Sequence, residues 1–186
     1  METAQYYFKP VASPFGTTAI VWWNAPSGPR VRQVLLCGKK AEAGIVREEY
    51  SEAQPGTAPE MDHIGRQIRD FLDGKAIVFD LAPAAMEVCG EFQRKILLAE
   101  YAIPRGWVST YGRLARHAGA EGGGRAAGRA LAENPFPILI PCHRAVRADG
   151  GLGGYQGGVE MKRRLLEMEG VGFATGNRVL LDKVYY

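Results

Sequence analysis

Apolar and polar positions follow two different rhythms along this chain. In the first part, Thr17–Trp23 and Val31–Leu36 are β-rich runs around Asn24-Ala-Pro-Ser-Gly-Pro29, a pattern that predicts two strands joined by a hairpin-like connection. Residues 54–59, Gln-Pro-Gly-Thr-Ala-Pro, predict a loop. Ile64, Ile68, Phe71 and Leu72 then recur at helical spacing, with Asp62 as candidate cap and Gly74 as the stop. These features predict a small α/β domain over residues 1–82. A linker follows at 83–90, within the stretch that begins near Leu81.

The second part reads as helical. Phe92, Ile96, Leu97 and Ala99 give a helix over Phe92–Ala102, ended by Pro104-Arg-Gly106. Ser109 or Thr110 can cap the next, whose apolar face is Tyr111, Leu114, Ala115 and Ala118, with Gly119 at its end. The turn Gly122-Gly-Gly124 leads into a third helix, Arg125–Glu133. Two helices joined by a glycine-bearing turn fit a helix-turn-helix. The predicted fold class is α/β in the α+β sense, with a short sheet first. A mostly helical, winged-helix-like domain follows at 91–186. In the third helix, Ala126, Ala127, Gly128, Ala130 and Ala132 leave little side-chain bulk, which suits close backbone approach to a helix or a groove floor. Arg125 and Arg129 stand one turn apart on another face.

Composition narrows the class. A chain of 186 residues with 46% hydrophobic and 23% charged residues has the make-up of an ordinary soluble globular protein. Three cysteines without paired spacing argue against a disulfide framework and for a reducing, cytoplasmic compartment. No Cys or His pair has metal-ligand spacing, and neither a signal peptide nor a membrane span is legible. The small net charge hides an asymmetry. Residues 1–88 carry 9 Lys+Arg against 11 Asp+Glu, whereas 89–186 carry 14 against 9. Seven arginines and no lysine fall within 105–147, a composition suited to phosphate contact, since guanidinium matches phosphate geometry.

Candidate chemistry is concentrated in Asn134-Pro-Phe-Pro-Ile-Leu-Ile-Pro-Cys142-His143-Arg144. Ile138, Leu139 and Ile140 read as a buried run that the flanking prolines hold extended. Cys142 leaves it beside His143, Arg144 and Arg147, basic groups that raise a thiolate fraction. Extended backbone would point Cys142 and His143 to opposite faces, so that a water is the natural bridge between them. Cys142 as a small buried hydrophobe is the competing reading.

The segment 134–144, with Gly151-Leu-Gly-Gly-Tyr-Gln-Gly-Gly158 after it and Ile103-Pro-x-Gly-x-Val-Ser-Thr-Tyr-Gly-x-Leu-Ala115 before it, closely resembles the O6-alkylguanine-DNA alkyltransferases. The resemblance runs in register from about Gly90 to Gly170. It implies direct-reversal repair: the alkyl group of O6-alkylguanine in double-stranded DNA, and of O4-alkylthymine, passes to Cys142 as an inert thioether, once per molecule. It also implies a monomer without cofactor or metal. The resemblance assigns Cys142, His143, Glu169, Tyr111 and Asn134 to catalysis. Arg125, inserted into the stack in place of the extruded base, joins Tyr111, Ala126, Arg129 and Arg113 against DNA, and Tyr155, Gln156, Ala145 and Lys162 frame the base pocket. Extrusion costs about a few kcal/mol, least for a damaged pair. Gln156 stands where a smaller residue is usual. Two other classes stay in view: a DNA-binding regulator without chemistry, and a cysteine hydrolase, for which adjacent Cys and His are poor geometry.

Overall fold

A computed structural model describes residues 4–38, 42–176 and 178–186. The fold is α+β. It divides into two compact units: Met1–Val88 with Pro135–Leu139, and Cys89–Asn134 with Ile140–Tyr186.

The first unit is built on a sheet of order β3-β2-β1-β4. Strands β1 (Tyr6–Ser13), β2 (Gly16–Ala25) and β3 (Gly28–Gly38) form an antiparallel meander, and β4 (Gln54–Pro55) adds to β1 in parallel. The β2–β3 hairpin is the predicted one. The expected loop at 54–59 instead begins as a strand, because Gln54 and Pro55 register with Tyr7 and Phe8. Strand β2 is buried on both faces, which is why Ala19-Ile-Val-Trp22 is continuously apolar. On one face, Ala19 and Val21 pack with Phe8, Leu35 and Val46, the last from α1 (Glu42–Glu49).

Helix α2 (Pro59–Leu72) packs against β1 and buries Ile64, Ile68, Phe71 and Leu72, as their spacing predicts, together with Met61. Asp62 is not its cap. The N-cap is Ala58, without a side-chain bond, and Pro59 opens the helix with its φ preset. Asp62 sits in the first turn and pairs with Lys9 at 2.8 Å. Residues 83–85 are tied to β3: Val31 donates to Pro83 O and Ala85 donates to Val31 O. Val34 N–H also donates to Pro135 O, which anchors the 135–139 segment in this unit.

The second unit holds α3 (Glu91–Tyr101), α4 (Tyr111–His117), α5 (Gly124–Ala132) and α6 (Val159–Met168), with a two-stranded parallel sheet of β5 (Ser109–Thr110) and β6 (Ala145–Val146). Thr110 caps α4, its Oγ1 accepting from Arg113 N–H at 3.3 Å. Helices α3, α4 and α5 pack on one another. A separate cluster of Val108, Val146, Leu152, Leu166, Val171 and Val179 holds β5 and β6 against α6 and the C-terminal segment. Among the described residues no helix is long and apolar enough to cross a membrane.

Candidate active site

Cys142 opens a single 3-10 turn, Cys142–Arg144, immediately after Pro141. The run before it is buried as predicted but is not extended. Ile138 adopts φ 75°, and the chain turns at 138–139. A β-branched residue in the left-handed region carries strain that surrounding structure must hold in place. Asn134 Nδ2 donates to Ile140 O at 3.2 Å, so one side chain joins the two ends of this excursion. The opposed geometry expected of Cys142 and His143 is likewise corrected, because the two are consecutive residues of a helical turn.

The thiol is buried at the floor of a cavity of about 400 Å³ lined by Tyr111, Gly128, Leu131, Arg147, Gly153, Tyr155 and Gln156. Burial pushes the Cys142 thiol up to about 11, against a hydrogen bond from Asn134 and the charge of Lys162 that favour the thiolate. The expectation that neighbouring cations activate the resting thiol is therefore reversed: desolvation of the anion outweighs them. Arg144 does not serve the sulfur. Its Nε and Nη2 donate to Glu169 Oε2 and Oε1 at 2.8 and 2.7 Å, and Nη1 donates to Ile103 O at 2.6 Å.

Glu169 also meets His143 Nε2 at 3.1 Å, all three residues being buried. Burial pushes the Glu169 carboxyl up, but His143 and Arg144 outweigh it and hold it down at about 2. His143 is shifted below its ordinary value by burial, with Glu169 opposing. A carboxylate accepting from Nε2 fixes that nitrogen as the protonated one, so the imidazole takes a further proton at Nδ1.

Lys162, from α6, is fully buried. Its Nζ donates to Ala145 O at 2.6 Å, Gly154 O at 3.3 Å and Tyr111 Oη at 3.4 Å. Ala145 thus contributes its carbonyl. Tyr155 has its hydroxyl buried, with no hydrogen-bond partner among the described residues, and sets its ring edge-on to His143. The Gln156 side chain folds back to donate to Ala132 O and Asn134 O at 2.9 and 2.8 Å, tying the glycine loop to the end of α5.

Gly153 needs its lack of a side chain. At φ 69° a Cβ there would lie 2.6 Å from Tyr111 Oη. Gly153→Ala is expected to cost about 1–3 kcal/mol in chemical denaturation, by overpacking and backbone strain together. Gly154→Ala, with nothing within 4 Å, should cost far less. Equal losses at the two positions would show that Tyr111 does not fix the loop.

The predicted DNA-facing residues lie around α4 and α5. Arg125, Ala126 and Arg129 are exposed on α5. Arg129 pairs with Glu133 at 3.1 Å, an exposed i,i+4 pair of little energetic weight. Arg113, on α4, donates to the Tyr186 carbonyl. Sequence reasoning missed Glu100. It is a wholly buried acid on α3, and its place on the stripe of Ile96 and Leu97 was the available signal.

The family model of the 6-O-methylguanine DNA methyltransferase DNA-binding domain matches residues 91–171. The chain is 54% identical over 104 residues to a methylated-DNA–protein-cysteine methyltransferase of Methanothermobacter thermautotrophicus, a match spanning 56% of this chain and 58% of that one. It is 36% identical over 153 residues to the protein of the same name from Mycobacterium leprae, covering 78% of this chain and 88% of that one. The fold matches the crystal structure of Mycobacterium tuberculosis OGT in complex with DNA. There the TM-score is 0.68 and the identity 28%, over 88% of this chain and 93% of that one. With a relative matched over nearly its whole length and the 91–171 segment enclosing Cys142, His143 and Glu169, the chain belongs to the O6-methylguanine-DNA methyltransferase family.

Proposed function

We propose that this chain repairs DNA by direct reversal, moving the alkyl group of O6-alkylguanine, or O4-alkylthymine, in duplex DNA onto Cys142. The observation that carries this reading is the placement of Cys142 at the floor of a base-sized cavity walled by Tyr111 and Tyr155. The coupling of His143 to Glu169 and Arg144 supplies the base. His143 accepts the thiol proton, and its cation is stabilised by the Glu169 carboxylate. The thiolate forms a carbon–sulfur bond as the carbon–O6 bond breaks. That electron pair goes to the guanine, which takes a proton from the Tyr111 hydroxyl. Tyr111 is reprotonated through Lys162, whose Nζ donates to its oxygen, and His143 returns the thiol proton to solvent, so the balance is one proton from sulfur to guanine. A thioether offers water no carbonyl to attack, so each molecule acts once, as a monomer and with no cofactor.

On DNA, α4 and α5 act as a helix-turn-helix, with α5 in the minor groove. The small surface of Ala126 and Gly128 lets the backbone approach, Arg125 fills the vacated stack, and Arg113 and Arg129 exchange their present partners for phosphates. The M. tuberculosis protein seen bound to DNA supports this side of the reading. The direct test is intact mass after incubation with O6-methylguanine duplex. A stoichiometric gain of one CH2 on the peptide bearing Cys142 is expected, and an unmodified protein would overturn the reading.

Extrusion has its own test. Arg125→Ala should slow transfer from duplex at least tenfold more than transfer from a free alkylguanine base, since only the duplex needs the gap filled; about 1.4 kcal/mol of lost stabilisation suffices. Arg113→Ala and Arg129→Ala should instead flatten the salt dependence of DNA binding. Equal slowing on both substrates would make Arg125 a structural residue.

A further inference from the structure

Helix α5 ends without the left-handed glycine that commonly closes a helix: Glu133 follows it at φ −93°. Its last carbonyls therefore need other donors. The backbone serves two of them, Glu133 N–H donating to Arg129 O and Asn134 N–H to Leu131 O. Two glutamine amides serve the others. From α3, Gln93 Nε2 donates to Ala130 O at 3.2 Å and to Glu133 O at 3.0 Å. From the glycine loop, Gln156 Nε2 donates to Ala132 O and to Asn134 O. The two amides differ in what they join. Gln93 fastens α5 to α3 and does not line the cavity above Cys142. Gln156 does line it, and so does Ala132. One wall of that cavity is Gly128, Leu131 and Ala132 of α5, and another is residues 153–156 of the loop. Gln156 thus bonds one wall to the other. Further back the loop is fixed too, by Lys162 Nζ donating to Gly154 O at 3.3 Å and by the close approach of Gly153 to Tyr111. A smaller side chain such as serine, with one donor on a short stem, cannot make both bonds.

We propose that Gln156 sets the alkyl-size preference of this chain, clamping the two walls of the pocket at a separation that favours methyl over an aryl group such as benzyl. This rests on the alkyl-transfer reading, in which the alkyl carbon meets Cys142 between those walls. A methyl group adds little to the width of the base that carries it. A benzyl ring must push the loop away from α5, which breaks both bonds of the Gln156 amide and takes that donor from Ala132 O and Asn134 O. The residue before Gln156 is Tyr155, whose ring stands edge-on to His143. The clamp therefore also fixes the aromatic part of the wall.

The test compares single-turnover transfer from two duplexes, one carrying O6-methylguanine and one O6-benzylguanine, with a thermal melt on each preparation. Gln156→Ala and Gln156→Glu both remove the donors, the second at nearly unchanged size. In both, the benzyl-to-methyl rate ratio should rise about tenfold over the wild type, a change within what two neutral hydrogen bonds contribute. Gln156→Asn, which keeps the amide on a shorter stem, should fall between. Gln93→Ala removes as many bonds from the same helix end and should leave the ratio unmoved, whatever it does to the melt. A ratio unmoved in both Gln156→Ala and Gln156→Glu would overturn the clamp alone. An equal rise in Gln93→Ala would make the effect one of helix-end stability and overturn it too, as would failure of both Gln156 variants to fold. No transfer by the wild type from either duplex would overturn the reading on which it rests.

Discussion

Cys142→Ala and Cys142→Ser are expected to lose alkyl transfer completely while retaining affinity for alkylated duplex. In the proposed reaction the sulfur is the acceptor atom, and no other described cysteine is placed at the cavity: Cys89 is buried and does not line it. Affinity should reside elsewhere, in the proposed DNA contacts of exposed Arg125 and Arg129 and of Arg113, none of which involves the sulfur. The same burial that hides Cys142 makes it selective. With the thiol pushed up to about 11 by burial, it rests as the neutral thiol at neutral pH. Iodoacetamide, which needs a thiolate and offers no base-shaped partner for the cavity, should therefore label Cys142 far more slowly than it labels an exposed cysteine. Activation must come with the substrate, when the alkylated base excludes water and His143 takes the proton. Intact mass after O6-methylguanine duplex, filter binding to the same duplex and iodoacetamide labelling separate these claims. Residual single-turnover transfer by the alanine variant would dismiss Cys142 as acceptor, and rapid iodoacetamide labelling of the wild type would dismiss the inert resting thiol.

Local signals carried much of this architecture. Helices α3 and α4 were legible because Phe92, Ile96, Leu97 and Ala99, and then Tyr111, Leu114, Ala115 and Ala118, recur at helical spacing, and α5 because the glycine turn at 122–124 leads into it. Strand β1 was not, because Tyr6–Ser13 buries Phe8 and Val11, three apart, and carries Pro10. Its strand identity comes from pairing with β2, a tertiary effect that propensity does not contain. The proline run misled for a related reason. Three prolines restrict their own φ and the residues before them, yet Ile138 has proline on one side only, and packing drives it to φ 75°. In the site, the motif drew attention to Cys142, His143 and Glu169, which the structure brings together. It was silent on what Arg144 binds, since that ion pair spans 25 residues. It was silent on the burial of Glu100 too, which depends on which helix packs behind the turn.

Glu169→Ala is expected to cost about 3–5 kcal/mol, the usual loss when one partner of a buried ion pair is removed and the other is left unpaired. Arg144 would keep only its bond to Ile103 O, and the guanidinium would remain almost fully enclosed. The effect should depend on pH in a defined window. Glu169 is held at about 2 against an ordinary 4.5, so its contribution is complete above 4.5 and is lost as pH falls toward 2. The alanine variant should lack that acid-sensitive part of its stability. Replacing both charges, Arg144→Met with Glu169→Leu, should recover most of the loss, because well-packed apolar groups often match or exceed a buried pair in stability. The double variant should still transfer poorly, since His143 loses the carboxylate that fixes its tautomer and stabilises its cation. Urea unfolding and single-turnover transfer on the same preparations make the comparison. Recovery of both stability and rate in the double variant would show that Glu169 serves the fold alone, whereas recovery of stability without rate separates its two duties.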